Sequence, residues 1–312
     1  MYETVMEAIK AKSKELLAAG TVNRVLGWQK GLFESDITPW VFTSPEEIDS
    51  DFIYNEYCGA NLSKALIKET RKDGKILVFL KPCDTYSFNQ LQKEHRFDRS
   101  KVHAVGIPCT GMKDPETKET AERCLVCRGT KHVAYNELID GCDESELDPA
   151  RAQARFDAVA KLEAMTPSER YEFWRGELSR CIRCNACRNV CPACSCENCV
   201  FDNPKSGIAQ KAAADDFEEN MFHIIRAFHV ASRCTDCGEC SRVCPQRIPL
   251  HLLNRKFIKD INELYGDYQA GMETEGRTPL TNFTPGDVEP SVVYERSPEQ
   301  GGRKNNVSNP CC

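Results

Sequence analysis

Between residues 2 and 18 apolar side chains recur every three to four positions (Met6, Ile9, Leu16 and Leu17 among Ala, Glu and Lys). That period predicts a helix, and Gly20 is its stop. Residues 22–28 and 40–43 turn to β-branched and aromatic types and predict strands. Ser44-Pro45-Glu46-Glu47 predicts the next helix start, with Pro45 at the first helical position and Glu47 completing a capping box. A helix over 59–71 leads through Lys72-Asp73-Gly74 into the strongest strand, 75–80. A helix over 84–95 and a strand over 102–107 follow. Strands alternating with helices of about ten residues predict βαβ units and a parallel or mixed sheet.

From Asp148-Pro149 onward the pattern is helical only. It predicts a helix over 149–164, then a second from Thr166-Pro167-Ser168-Glu169, another capping box, that turns Tyr171, Phe173, Trp174 and Leu178 toward a core. A helix over 208–231 separates two cysteine-rich segments, 181–199 and 234–244, and a last helix covers 249–264. In the linking helix Phe217, Met221, Ile224, Ile225 and Phe228 recur at helical spacing and predict a core face packed over the cysteines. His223 and His229 read as hydrogen-bonded structural residues. After residue 268 Gly, Pro, Ser, Thr and Glu dominate, as in a tail that is flexible or lies along a partner. The fold class expected is an α/β N-terminal domain (1–147), then an α-helical ferredoxin-like dicluster domain (148–267) and the tail (268–312).

The 312 residues suffice for two domains, and 41% hydrophobic with 28% charged residues is ordinary globular composition. The longest strongly apolar run, Ile76-Leu77-Val78-Phe79-Leu80, is far below the roughly 20 residues of a membrane span. The first residues lack the basic and apolar regions of a secretory signal, so a cytoplasmic setting is expected. A net charge of −6 argues against nucleic acid as the main partner. Composition changes the picture at one point. Nineteen cysteines in a chain kept in a reducing compartment imply metal binding or redox work rather than disulfides.

Cys181-Ile182-Arg183-Cys184-Asn185-Ala186-Cys187-Arg188-Asn189-Val190-Cys191-Pro192 fits C-x2-C-x2-C-x3-C-P, and so does Cys234-Thr235-Asp236-Cys237-Gly238-Glu239-Cys240-Ser241-Arg242-Val243-Cys244-Pro245. In two-cluster ferredoxin modules the fourth cysteine of each run ligates the other cluster. On that rule one [4Fe–4S] cluster takes Cys181, Cys184, Cys187 and Cys244, and a second takes Cys234, Cys237, Cys240 and Cys191. Cys187 and Cys191 are four residues apart, so their Cα atoms lie within about 14 Å, close enough for an electron relay. All-cysteine zinc sites are the alternative, but they usually pair two C-x2-C hairpins across an intervening segment. Arg180, Arg183, Arg188, Arg233, Arg242 and Arg247 surround the cysteines, either offsetting cluster charge or forming solvated surface.

Cys83 and Cys109 each follow a predicted strand, where ligands collect in open α/β sheets, and Cys124-Leu125-Val126-Cys127 adds a C-x2-C pair. Spacing leaves two readings open: a third cluster, or two buried cysteines and an unrelated pair. The stretch over about residues 22–141 resembles the flavin-containing β-subunit family of coenzyme F420-reducing hydrogenases and F420-dependent formate dehydrogenases. The resemblance is carried by Thr43-Ser44-Pro45-Glu46-Glu47-Ile48, the Pro-Cys after one strand and the Gly-x-x-Cys ending the next. The Cys124/Cys127 pair and Tyr135-Asn136-Glu137-Leu138-Ile139-Asp140-Gly141 complete it. It implies that Cys83, Cys109, Cys124 and Cys127 hold a cluster. The C-terminal half resembles the dicluster module of the formate dehydrogenase β-subunits, including Cys191-Pro192-Ala193-Cys194-Ser195-Cys196-Glu197-Asn198-Cys199.

Family members carry a Gly-rich segment ahead of the first helix that helps hold FAD. This chain starts at about that helix and has no G-x-G-x-x-G or Walker motif. The expectation is that fold and clusters are kept while the hydride-handling site, FAD and F420 binding included, is reduced or lost. Seven cysteines remain: Cys58, Cys142, Cys194, Cys196, Cys199, Cys311 and Cys312. Cys194, Cys196 and Cys199 are either ligands of a further metal site or neighbours that tune a cluster. No Ser-His-Asp set, catalytic Cys-His pair or paired-carboxylate site stands out. The chain therefore reads as a subunit of an anaerobic redox complex of hydrogenase, formate dehydrogenase or heterodisulfide-reductase type, with electron bifurcation a natural setting. It passes single electrons between partner redox subunits and has no substrate site of its own. Two alternatives stand beside this: a flavin-containing β subunit that exchanges hydride with F420 or a nicotinamide, and a zinc-stabilised structural protein.

Overall fold

A computed structural model describes residues 2–127, 131–142, 149–203, 205 and 216–281. The N-terminal part runs α1 (Tyr2–Ala18), β1 (Arg24–Lys30), β2 (Ile37–Phe42), α2 (Pro45–Asp51), α3 (Leu66–Glu69), β3 (Ile76–Leu80), α4 (Pro82–Lys93), β4 (Val102–Gly106), α5 (Glu122–Leu125) and β5 (Glu137–Leu138). The strands form one mixed sheet in the order β2-β1-β3-β4-β5. The β1–β2 pair is antiparallel and every other pair parallel. β3 is central and all five of its residues are buried, which is why it reads as an unbroken apolar run rather than an alternating one. Its neighbours in register, Leu26 and Ala104 beside Val78, are equally buried. One large apolar core, including Trp28, Phe42, Phe52, Phe79 and Phe88, supports this part of the chain.

The rest is helical: α6 (Pro149–Ala154), α7 (Asp157–Glu163), α8 (Pro167–Ser179), α9 (Ala186–Val190), α10 (Asp216–His229), α11 (Glu239–Arg242) and α12 (Leu250–Tyr265). Its apolar clusters are small and include thiols. Leu178, Ile248 and Leu250 pack with Cys187 and Cys240, while Ala193 and Val230 pack with Cys191. The capping box at Thr166 forms in full, with Thr166 and Glu169 each accepting from the other's backbone N–H.

Several expected elements take another form, each for a tertiary reason. The helix expected over 59–71 is reduced to a 3-10 turn at Ser63–Ala65 and the single turn of α3. Its first residues are held outside helical pairing: the carbonyls of Cys58 and Ala60 accept from Lys81 Nζ, Trp28 Nε1 also donates to Ala60, and the Asn61 N–H donates to Glu239. At α2 the Ser44 hydroxyl caps as expected, but Glu47 reaches back to the Thr43 N–H, so the box closes one residue early. The helix expected over 149–164 breaks between α6 and α7. There the Arg155 carbonyl accepts from Arg255 and the Phe156 side chain is buried. In α8 Leu178 is buried as expected, but Tyr171 faces solvent. The start of the helix expected over 208–231, and residues 282–312 of the expected tail, lie outside the described residues.

The described stretch after α12 lies along the chain's own surface. Tyr268 donates its hydroxyl to the Ser232 carbonyl, Gln269 donates to the Thr235 carbonyl, and Ala270 is buried. Gly271 has φ +78°, and a Cβ there would sit 1.8 Å from the Tyr86 carbonyl oxygen of α4. Gly271→Ala should therefore lift this strap off both the second cysteine segment and α4. Amide hydrogen exchange should quicken over residues 268–281 and stay slow in β3; unchanged exchange in the strap would contradict this packing.

Candidate metal centre

The two cysteine segments fold into the same local structure twice. Arg183 and Asp236, each just before the second cysteine of its run, have φ of 53° and 59°; Asn185 and Gly238, each just after it, have 61° and 69°. Two left-handed residues around the second cysteine curl the loop back on itself and turn it into a short helix, α9 or α11. The first loop's N–H groups already point at sulfur, with the Arg183 N–H 3.3 Å from Cys181 Sγ.

Cys181, Cys184 and Cys187 from the first run, with Cys244 from the end of the second, line one cleft of about 330 Å³ counting the open solvent at its mouth. Cys234, Cys237 and Cys240 lie around Cys191, the last cysteine of the first run, and the Cys191 charge acts on all three. Cys187 sits in α9 and Cys191 follows it, so their Cα atoms are separated by about one helical turn, about 6 Å of rise rather than the 14 Å limit of an extended chain.

The third set comes from loops at the carboxyl edge of the sheet. Cys83 lies in the first turn of α4, Cys109 follows β4, Cys124 is in α5 and Cys127 lies just beyond it. All four line one cavity of about 1200 Å³ counting its open mouth. Thr235, Asp236 and Cys237 of the second cysteine run line it too. Burial pushes the Cys109 thiol up to about 11, and burial likewise raises Cys181 and Cys240 to about 11. Without metal these thiols hold their protons at neutral pH, so metal loading releases protons.

Buried cations stand beside the sulfurs. Lys81, 1% exposed, pairs with Asp84 at 2.8 Å, and its Nζ lies 4.6 Å from the Trp28 ring centre. Arg123, next to Cys124, donates to the carbonyls of Cys237 and Gly59 and to Glu239. Arg242 donates to both oxygens of the same carboxylate, at 2.7 and 2.8 Å. Glu239 is fully buried, which opposes its charge, yet Arg242 and Arg123 hold its carboxyl down at about 2. It is thus a permanently charged tie between the third set and the second run.

The remaining cysteines are dispersed. Cys194 hydrogen-bonds Cys191, Cys196 is exposed near Arg233, and Cys199 meets Arg188. Among the described residues these three do not form a group with ligand atoms within 4.8 Å; the group that does is Cys181, Glu219 and His223. Cys58 is buried and Cys142 Sγ lies 3.6 Å from the Gly106 carbonyl. Cys311 and Cys312 lie outside the described residues. The arginines picked out by sequence all have carboxylate partners: Arg180 with Glu177, Arg183 with Glu219, Arg188 with Asp202, Arg233 with Glu94, Arg242 with Glu239, Arg247 with Asp114.

α10 departs furthest from expectation. Phe217, Met221, Ile224 and Phe228, expected against the cysteines, are exposed, and its buried face carries Glu219, Phe222, His223, Arg226 and Ala227. His223, expected to be hydrogen-bonded, has neither ring nitrogen bonded among the described residues. Burial, then Arg226 and Arg183, hold its imidazole down at about 3, so it is neutral. His229 is exposed, with its ring near Phe201. Sequence reasoning missed Arg226 and Glu239, because a charged residue inside an apolar period, or between two ligand cysteines, reads as surface.

Two thiol loops of one conformation, exchanging their fourth cysteines, define a dicluster iron–sulfur module. The 4Fe-4S dicluster domain family matches residues 177–248, and the chain carries that domain. Over nearly its whole length the chain is related to formate dehydrogenase β subunits. It is 23% identical to the F420-dependent formate dehydrogenase subunit beta of Methanocaldococcus jannaschii, over 88% of this chain and 94% of the relative. It is 25% identical to F420-dependent formate dehydrogenase 1 subunit beta of Methanococcus maripaludis, over 89% of this chain and 94% of the relative. Lactate utilization protein B of Bacillus thuringiensis matches at 28% over 50% of this chain and 30% of that protein. Among the described residues no helix is long and apolar enough to cross a membrane.

Glu239→Gln removes the charge shared by two arginines, of which Arg123 is half-buried to buried. It should lower stability by about 3–5 kcal/mol, the range for breaking a buried ion pair from one side. Anaerobic denaturant unfolding measures it; a loss below about 1 kcal/mol would show that the tie is not structural.

Proposed function

We propose that this chain is an iron–sulfur electron-transfer subunit that relays single electrons through three [4Fe–4S] sites in linear order. Cys83, Cys109, Cys124 and Cys127 hold the site at one end, Cys234, Cys237, Cys240 and Cys191 the middle one, and Cys181, Cys184, Cys187 and Cys244 the other end. The observation that carries this reading is continuity: Cys237 of the middle set lines the cavity of the sheet-edge set, and one helical turn separates Cys191 from Cys187. Each set offers four thiols, the donor chemistry of a cubane cluster. The cations Lys81, buried, and Arg123, partly buried, suit a thiolate-rich group, whose negative charge would otherwise be costly to bury. When bound, the clusters supply one-electron redox centres. The residues around them supply charge, hydrogen bonds and exclusion of water, which set the potentials.

The organisation that fits is an α/β domain over 1–147 with one site and a helical dicluster domain over 148–267 with two. Kinship to F420-dependent formate dehydrogenase β subunits supports a place in a multi-subunit redox complex of that kind, with electrons entering and leaving through docked subunits. Cys194, Cys196 and Cys199 serve as surroundings of the dicluster rather than as a fourth centre. The hydrogen bond between Cys194 and Cys191 of the middle set favours this.

Three cubanes correspond to about twelve iron and twelve acid-labile sulfide per chain after anaerobic purification. Cys83→Ala should reduce iron to about eight and remove one EPR signal while the other two persist. Negligible iron with stoichiometric zinc would overturn the reading. Unchanged spectra in Cys83→Ala would remove the sheet-edge site, and stoichiometric FAD reducible by a hydride donor would replace the relay with a flavin-containing β subunit.

A further inference from the structure

The face that α10 turns inward is charged. Glu219, His223 and Arg226 lie at i, i+4 and i+7, one above the other on the helix. The first two have ligand atoms within 4.8 Å of one another and of Cys181, and His223 lines the cleft of the first thiol set. Arg226, one turn further along, is 1% exposed, and none of its three guanidinium nitrogens has a hydrogen-bond partner among the described residues. A buried guanidinium left with five unused N–H donors is costly unless an anion belongs beside it. The negatively charging groups around it are Cys240, Cys187, Cys191 and Cys194. Cys187 belongs to the outer thiol set, and Cys240 and Cys191 to the middle one. By contrast, each of the six arginines flanking the motifs has a carboxylate partner.

We infer that Arg226 is a positioning residue shared by the two dicluster sites: its guanidinium, beside cysteines of both the outer and the middle thiol sets, offers its unused N–H groups to the sulfide of clusters bound there and holds both reduction potentials up. This rests on the cluster assignments proposed above. The physical basis is the sign of the charge. Reduction adds a negative charge to a group that is already anionic, so a fixed buried cation stabilises the reduced form more than the oxidised one. Hydrogen bonds to cluster sulfur act in the same direction. Because one cation serves two sites, its removal moves both couples. The sheet-edge thiols are not among the strongest charges acting on it, so that couple serves as an internal reference.

The test uses the full chain, purified anaerobically and titrated with dithionite under EPR, with iron and sulfide assayed in each variant. Arg226→Gln should keep wild-type iron and lower both dicluster potentials by about a tenfold change in each reduction equilibrium, about 59 mV for a one-electron couple. The sheet-edge couple should stay in place. Arg226→Lys, which keeps the charge, should keep wild-type iron and potentials. If Arg226→Gln sheds its clusters while Arg226→Lys retains them at wild-type potentials, the need for a cation there is equally supported. Unchanged potentials in an iron-replete Arg226→Gln, or a shift of one dicluster couple alone, would overturn the inference. So would a lysine variant that behaves like the glutamine one. Negligible iron in the wild-type chain, read before any variant is compared, would instead sink the cluster assignments themselves.

Discussion

Glu239 has two guanidinium groups on one buried carboxylate, and the placing of the second cysteine run against the sheet edge turns on it. Arg123 reaches it from α5, beside Cys124, and Arg242 reaches it from its own helix, α11, beside Cys240. The Asn61 N–H reaches it from the loop ahead of α3. In a low-dielectric interior such a charge is tolerated only when paired and hydrogen-bonded, so the three segments must stay together or each pays a desolvation penalty. The sheet edge and the second cysteine loop are thereby held in one register, and Cys237 lines the cavity made by Cys83, Cys109, Cys124 and Cys127. A purely apolar contact would leave that spacing adjustable; a shared carboxylate with directional donors does not.

The same chemistry explains why the helical part is built unlike the sheet. The sheet is supported by one large apolar core, whereas around the cysteines the apolar clusters are small and half made of thiols. Sulfur anions need N–H donors and positive charge close by. The surfaces packed against them are therefore polar, and α10 puts Glu219, His223 and Arg226 inward while four of its large apolar residues face out. An amphipathic helix inverted in this way is a sign that the interior it faces is not oil-like.

This sets the limit of what could be read from the chain alone. Features encoded locally were legible: β3 from its unbroken apolar run, the Thr166 capping box from four residues, α12 from its period, and both cysteine runs from their spacing. Features decided by distant partners were not. Residues 59–62 have an acceptable helical pattern, but Lys81 and Trp28 claim their carbonyls; the 149–164 helix breaks because Arg155 and Phe156 are drawn into the interior. The α10 face failed for a different reason. Periodicity locates the apolar stripe correctly, yet the rule that this stripe faces inward presumes an apolar core, and here the core is sulfur. The resemblance to a known β-subunit family groups the sheet-edge cysteines, and the cavity that all four line supports that grouping.

The two cysteine loops share a backbone conformation but not an environment, and the difference bears on how a relay would be directed. In the outer set Cys184 is exposed and Cys187 buried, whereas in the middle set Cys191 and Cys240 are buried and Cys234 and Cys237 half-buried. The sheet-edge set opens through the mouth of its cavity. A centre enclosed by protein exchanges electrons readily only with neighbours at short range, while an exposed one can meet a docked partner. Wet ends and a drier middle therefore favour entry and exit at the two termini of the line, with the middle site as an internal step. Within that arrangement a cation shared by the middle and outer sites, as proposed for Arg226, would raise both potentials in parallel and so leave the step between them nearly unchanged.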